Sequence, residues 1–173
     1  METKRIPRFP YFLFAIAMLM VSATAHAEDA RGGFAQPGDV VGYWQMIPMS
    51  AELMAKNVEN PWPLPFQYFA IYANGETFAH MSTHATDHTP ASLDQLHAML
   101  PKTVRYAFNA DGFMVVTRAD QPGTQELWGV NLLAQDFTSG GTDFKAGDLL
   151  MSLDDGHGNP VYRRLLRRLP AQP

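Results

Sequence analysis

From residue 39 onward, the chain consists of short segments that are either apolar throughout or alternate between apolar and polar residues, and turn residues separate these segments. They predict strands at residues 39–49, 66–72, 76–82, 103–108, 113–118, 125–133, 143–145, 148–153 and 161–169. Asn-Gly or Asp-Gly pairs at 74–75, 111–112 and 155–156 mark hairpin turns, because these residues tolerate positive φ. Turns that recur about every 8–12 residues predict an all-β fold, an antiparallel up-and-down β-barrel of about eight strands.

Helical signals are confined to two short segments. Ser50 is a suitable N-cap for a single helical turn that begins at Ala51. Residues 92–100 have Ser92 as a candidate cap and place apolar side chains at helical spacing, those of Leu93, Leu96, Met99 and Leu100. No long helix separates two strands, which argues against a parallel α/β sheet.

Residues 1–27 have the pattern of a cleavable export signal. A basic start with Lys4, Arg5 and Arg8 precedes an uncharged apolar run at 11–21, and Ala25-His26-Ala27 supplies a small-x-small cleavage site. The apolar run is shorter than the roughly 20 residues that a membrane-spanning helix needs. We therefore predict cleavage after Ala27, a periplasmic or secreted location, and no stable membrane anchor afterwards.

The predicted organisation is a signal peptide at 1–27, a flexible leader at 28–38 and one barrel domain at 39–170. The chain has no Cys, so disulfides and thiolate metal sites are excluded. Removal of three basic and one acidic residue with the signal reduces 13 basic and 17 acidic residues to 10 and 16, a net charge of −6. An acidic domain of this kind is a poor partner for nucleic acid.

A short motif at the first strand and an arginine-rich last strand resemble the lipocalin-like (calycin) domains, in particular the small secreted bacterial ones. Gly42-Tyr43-Trp44 matches the G-x-W that begins the first strand of that family, and residues 162–168 form the last strand. The resemblance covers most of residues 39–169. It implies that an arginine of the last strand packs over the Trp and closes one end of the barrel.

The residues expected to close the barrel are Gly42, Trp44, Arg163, Arg164 and Arg167. A guanidinium on an indole ring gives a cation–π contact of about 1 kcal/mol. In an extended strand, Arg163 and Arg167 share one face while Arg164 and Arg168 share the other. The sequence leaves open which of the four arginines meets Trp44.

A small barrel either is filled by its own side chains or holds one small ligand. Our first hypothesis is an exported binding protein for a small apolar molecule, without a cofactor. The expected lining comes from aromatic residues on predicted strands, namely Phe66, Tyr68, Tyr106, Phe108, Phe113 and Trp128.

Three alternatives stay open. A filled barrel could serve as an interaction or inhibitor module for a protein partner in the cell envelope, with loops around Trp62 and 83–90 as the contact surface. His80 could act as the acid or base of a cofactor-free isomerase or cyclase. A metal could bind to His80, His84 and His88, which are spaced by four residues, with Met81 as a soft ligand nearby. The sequence has no common hydrolase or phosphate-binding motif, and this disfavours the hypothesis that the protein is an enzyme.

Overall fold

A computed structural model describes residues 33–58 and 60–170. The predicted export signal and the first residues of the leader lie outside this part. The strands are β1 (Gly33–Phe34), β2 (Gly42–Ile47), β3 (Phe66–Ile71), β4 (Thr77–Ser82), β5 (Val104–Phe108), β6 (Met114–Arg118), β7 (Gln125–Leu132), β8 (Phe137–Ser139), β9 (Thr142–Phe144), β10 (Leu149–Asp154) and β11 (Pro160–Arg168). The helices are α1 (Pro37–Val40), α2 (Ala51–Met54) and α3 (Pro90–Met99).

Eight antiparallel strands form a nearly closed barrel in up-and-down order. The order around the sheet is β4-β3-β2-β11-β10-β7-β6-β5, so the last strand pairs with the first long one. The short β1 adds to β7, and β8 and β9 form a separate hairpin. The predicted fold class is therefore confirmed, together with the hairpins at the three Asn-Gly or Asp-Gly turns.

The barrel is least complete where β4 meets β5. The ladder between these strands consists of one bridge, Glu76 to Arg105, in the described part of the chain. Beside it, the Tyr106 backbone N–H donates to the Gly75 carbonyl at 2.8 Å, and the Arg105 guanidinium lies 3.4 Å from the Glu76 carboxylate. We call this weakly paired contact between β4 and β5 the β4–β5 joint.

Trp44 on β2 is fully buried. Its indole N–H donates to the Val40 carbonyl at 2.9 Å, and the guanidinium of Arg168 lies 4.3 Å above the ring. Arg168 also donates to the backbone carbonyls of Asp39 and Val41 at 3.2 and 3.0 Å. The Arg168 guanidinium thus links β11, on which it lies, to Trp44 of β2 and to Asp39 of α1.

This geometry corrects the expected set of closing arginines, because Arg168 is the one over Trp44 and Arg163, Arg164 and Arg167 lie elsewhere. Arg167 is on the other strand face and donates to the buried Asp148 carboxylate at 3.0 Å from Nε and 2.8 Å from Nη2. Arg163 shares that face. Arg164 shares the face of Arg168, but it lies deeper in the barrel beside Trp62 and Trp128.

Helix α3 begins two residues earlier than predicted. Thr89 is the cap. Its hydroxyl accepts the backbone N–H of Ser92 at 3.1 Å, and the Ser92 hydroxyl accepts the backbone N–H of Thr89 at 2.9 Å. Pro90 fits the first helical position, since its missing N–H would have no partner there. Ser92 is therefore the third residue of the helix, where its hydroxyl completes a capping box, and it is not the cap.

Helix α3 packs on the outside of the barrel against β3. Leu93 is buried there with a cluster that contains Tyr68, Ala70 and Phe78. The expected apolar face is only partly correct, because Met99 is 73% exposed and Leu100 is 50% exposed. The covering helix explains why both faces of β3 are buried.

The described part of the leader is ordered against the barrel. The Ala35 backbone N–H donates to the Val130 carbonyl at 2.9 Å, and Ala35 is buried. The strand predicted from residue 39 begins at Gly42, because Pro37 starts a helical turn that ends at Val40. Within residues 33–58 and 60–170, no helix is long and apolar enough to cross a membrane.

Candidate ligand-binding site

A cavity of about 650 Å³ occupies the barrel interior and is open to the surface on one side. Its wall consists mainly of inward-facing apolar side chains of β3, β4, β6, β7, β10 and β11. The central ones are Phe69, Ile71, Met114, Val116, Met151 and Leu166. The interior is thus a ligand-sized space and is not filled by side chains.

The cavity reaches the surface beside the β4–β5 joint. Its wall there consists of Thr77, Ala79 and Met81 from β4 and of the segment 100–104 that follows α3. Leu100 contributes to this wall while half of its surface stays exposed. The cavity is thus accessible from solvent on this side of the barrel.

The loop before β3 covers another part of the cavity. Trp62 from this loop stacks on Trp128 with ring centroids 5.6 Å apart and lies 5.7 Å from the Tyr162 ring. The fully buried Gln67 holds the loop, since its side-chain amide donates to the carbonyls of Trp62 and Leu64, both at 2.9 Å. Trp62 is therefore part of the cavity wall rather than an exposed contact surface.

A few polar groups interrupt the apolar wall. The Arg118 Nε lies 3.5 Å from the Glu126 carboxylate, which also accepts the Trp128 indole N–H at 3.0 Å. His97 lines the cavity near the joint, stacked on Tyr72 at 4.8 Å, with its Nε2 at 3.9 Å from the Glu76 carboxylate. Such a wall, apolar with few polar groups, is typical of small-molecule sites.

Arg164 is the most deeply buried cation of the described residues, with 5% of its surface exposed. Burial lowers its pKa to about 10, an effect that the nearby Tyr162 and Glu126 partly offset. The side chain therefore remains positively charged at neutral pH. Two of its nitrogens, Nε and Nη2, have no hydrogen-bond partner among the described residues.

The six residues that were expected to line the cavity lie in three different surroundings. Trp128 lines the cavity. Tyr106 and Phe108 pack against the interior cluster without lining the cavity. Phe66, Tyr68 and Phe113 lie outside the barrel wall, and the expectation for them is corrected.

The physical reason is the alternation of side chains along each strand. Phe66 and Tyr68 share the outer face of β3 and pack in the cluster beneath α3. Phe113 packs outside against Gly129, with Phe34 of β1 at 6.4 Å between ring centroids. Because helix α3 and strand β1 cover these faces, aromatic content alone does not distinguish the inside from the outside.

Sequence reasoning missed Arg164 as a cavity residue, although a signal for it exists. Once Arg168 is assigned to Trp44, the period of two places Arg164 on the same, inward face of β11. The missing information was which arginine stacks on Trp44.

The three candidate metal-binding histidines are not brought together. His80 and His88 lie with ring centroids 4.7 Å apart, and His88 is also 4.6 Å from the Tyr68 ring. His84 is exposed and its Nδ1 hydrogen-bonds to the Thr83 hydroxyl at 2.8 Å. Within the described ranges, no group of three or more His, Cys, Asp or Glu could hold a metal ion.

The pair of histidines lies outside the cavity. His80 is opposite Tyr68 on the outer face of the β3–β4 hairpin and does not line the cavity. His88 packs between this face and the start of α3, with Nδ1 at 3.3 Å from the Ser92 hydroxyl. His80 is therefore not placed to act on a molecule in the barrel.

Comparison of the chain with protein-family models, with curated proteins and with solved structures gives no significant match. The lipocalin-like motif and strand order thus remain a resemblance, and the function is inferred from the cavity itself.

Proposed function

We propose that the protein is an exported binding protein for a small hydrophobic molecule held inside the barrel. The observation that carries this proposal is the cavity of about 650 Å³, which falls within the range of roughly 300–1,000 Å³ found for small-molecule sites. A barrel that serves only as a scaffold would instead be filled by its own side chains.

The chemistry of the wall supports an apolar ligand. Most of the lining is Ile, Leu, Val, Met and aromatic side chains, which gain about 25 cal/mol for each Å² of apolar surface removed from water. The joint offers an entrance because β4 and β5 share one bridge, so their separation breaks few hydrogen bonds.

The alternatives have less support. The interaction-module hypothesis rests on an exposed Trp62, whereas this side chain stacks on Trp128. The isomerase hypothesis relies on His80, which is outside the cavity. The export part of the proposal rests on residues 1–27 alone, whose pattern is that of a cleavable signal.

Native mass spectrometry of the chain recovered from its own host tests both parts. We expect a protein that begins at Glu28 and carries a small organic molecule, which denaturation releases. An intact N-terminus would overturn the export proposal. A protein that is consistently empty, and that also fails to bind dodecanol in solution, would overturn the binding proposal.

Two variants of neighbouring residues on β6 give a matched control. Val116 lines the cavity, whereas Val115 does not. We expect Val116→Phe to lower dodecanol affinity by about tenfold or more, because the larger ring occupies part of the space. Val115→Phe should leave the affinity within about twofold.

A further inference from the structure

Arg164 is unusual because it combines deep burial with incomplete hydrogen bonding. Its guanidinium lies 4.7 Å from the Trp62 ring, 4.6 Å from Phe69, 4.7 Å from Trp128 and 5.6 Å from Tyr162. These rings favour a cation over their faces. The ring faces accept no conventional hydrogen bonds. Tyr162 also offers its hydroxyl, which partly offsets the lowered pKa of Arg164, but Nε and Nη2 remain without a partner among the described residues.

The unused donors lie along one edge of the guanidinium. Nε and Nη2 of Arg164 have no partner among the described residues. In the planar guanidinium, the Nε–H and one Nη–H point in parallel on the same side, and this fork matches the two oxygens of a carboxylate. A buried charge with unpaired donors is costly unless another group binds to it.

The nearest acidic group does not complete this site. One oxygen of Glu126 lies 3.5 Å from Arg118 Nε, and the other accepts the indole N–H of Trp128 at 3.0 Å. The charge of Glu126 is thus matched by Arg118, while the charge of Arg164 has no carboxylate within hydrogen-bond distance in the described chain. The cavity has one positive charge in excess at this wall.

We propose that Arg164 binds the carboxylate of the hydrophobic ligand through Nε and Nη2, so that the ligand is an apolar molecule with a single carboxylate head. This inference rests on the proposed function and names the chemical class of the ligand. The apolar tail lies along Ile71, Val116 and Leu166, towards the β4–β5 joint. A single charge fits because one guanidinium is free, and the nearby Glu126 carboxylate opposes a dianion.

Isothermal titration with three probes of equal chain length tests the proposal: dodecanoate, dodecanol and dodecyl phosphate. We expect the mature protein to bind dodecanoate about ten- to a hundredfold more tightly than dodecanol, as charge-assisted hydrogen bonds imply. Equal affinities for these two would overturn the carboxylate assignment, and so would tighter binding of the phosphate. Binding of none of the three would overturn the proposed function itself.

Variants then assign the preference to this side chain. In Arg164→Met, we expect the ratio of dodecanoate to dodecanol affinity to fall to about one. Arg163→Met, on the opposite strand face, should keep the preference. A preference that survives Arg164→Met would overturn the role of Arg164.

A second measurement uses only the unmodified protein, so it holds even where Arg164→Met fails to fold. The ¹³C shift of carboxyl-labelled dodecanoate reports the ionisation of the bound head group. Beside a buried guanidinium, the bound carboxyl should stay ionised to a lower pH than free dodecanoate. A bound carboxyl that titrates at or above the pH of the free one would overturn the proposal.

Discussion

Arg168 Nη1 occupies the space that a Cβ at Gly42 would need. Gly42 also has φ +147°, a backbone conformation that L side chains rarely adopt. The first and last strands of the barrel therefore meet at a contact that requires glycine on one strand, and the arginine fits over Trp44 because that space is free.

Gly42→Ala should destabilise the protein by about 2–3 kcal/mol, through backbone strain and displacement of Arg168. Arg168→Ala should cost about 1–2 kcal/mol, because it removes the contact over Trp44 and two bonds to backbone carbonyls. Urea unfolding of both variants, with Arg163→Ala as the control, measures these losses. The double variant should lose less than the two losses added together, and strict additivity would contradict a shared contact.

Gln67→Met should loosen the loop that holds Trp62 over the cavity. The substitution removes two hydrogen bonds and leaves the carbonyls of Trp62 and Leu64 without this donor, at a cost of about 2 kcal/mol. Acrylamide quenching of tryptophan fluorescence should increase, because Trp62 becomes accessible. Gln45→Met on the neighbouring strand should leave the quenching unchanged, and equal quenching in both variants would contradict the role of Gln67.

Asp94→Ala should weaken the attachment of α3 to the barrel. The Asp94 carboxylate accepts the hydroxyl protons of Tyr43 and Tyr72 at 2.9 and 2.7 Å. We expect a loss of about 1 kcal/mol in urea unfolding, with Asp87→Ala in the exposed loop as the neutral control.

The same substitution should change the ionisation of the two tyrosines. Burial, then the hydrogen bond and charge of Asp94, raises the pKa of Tyr43 and of Tyr72. In Asp94→Ala, ultraviolet titration should therefore detect tyrosinate formation at lower pH than in the unmodified protein. Unchanged titration would contradict the contribution of Asp94.

Stability should fall on mild acidification because of His88. Burial, followed by the charge of the nearby His80, lowers the pKa of His88 below its usual value of 6.5. The unfolded chain then binds a proton in a pH range where the folded protein does not, so the free energy of unfolding decreases as the pH falls below about 6.5. Below the folded pKa of His88, this loss is complete.

His88→Phe should reduce this pH dependence in urea unfolding between about pH 7 and 5, since the ring contacts remain and the titrating group is removed. The exposed His84→Asn variant should retain the slope of the unmodified protein. A slope in His88→Phe as steep as before would assign the effect to other groups.

The strand order was predictable because its signals are local. Asn74-Gly75 and Asp111-Gly112 fix hairpins through residues that favour the required turn, and both hairpins form as predicted. The cap of α3 lies three residues before the expected Ser92, because Thr89-Pro90 is a stronger start. Such signals act over a few residues and can be identified in a single sequence.

Which side chains of a strand point into the barrel was not predictable in the same way. All of β3 beyond Phe66 is buried, since the interior covers Phe69 and Ile71 while α3 covers Tyr68 and Ala70. Alternation of apolar and polar residues is then absent, because the outer face is covered by a helix that begins at Pro90, well beyond the end of the strand at Ile71. Arg164 was missed because apolar residues and arginines occupy both faces of β11, so the sequence did not show which face meets Trp44.

At the joint between β4 and β5, the circumference of the barrel is held by fewer ladder hydrogen bonds than between any other neighbouring strands of the described sheet. In a fully closed sheet, a wider interior requires several ladder hydrogen bonds to break together. Here a single bridge between Glu76 and Arg105 joins the two strands in the described chain, and beyond it the wall is made of side chains. On the proposed function, a ligand larger than the resting interior would be accommodated at this joint, because fewer ladder hydrogen bonds oppose strand separation here than elsewhere along the described sheet.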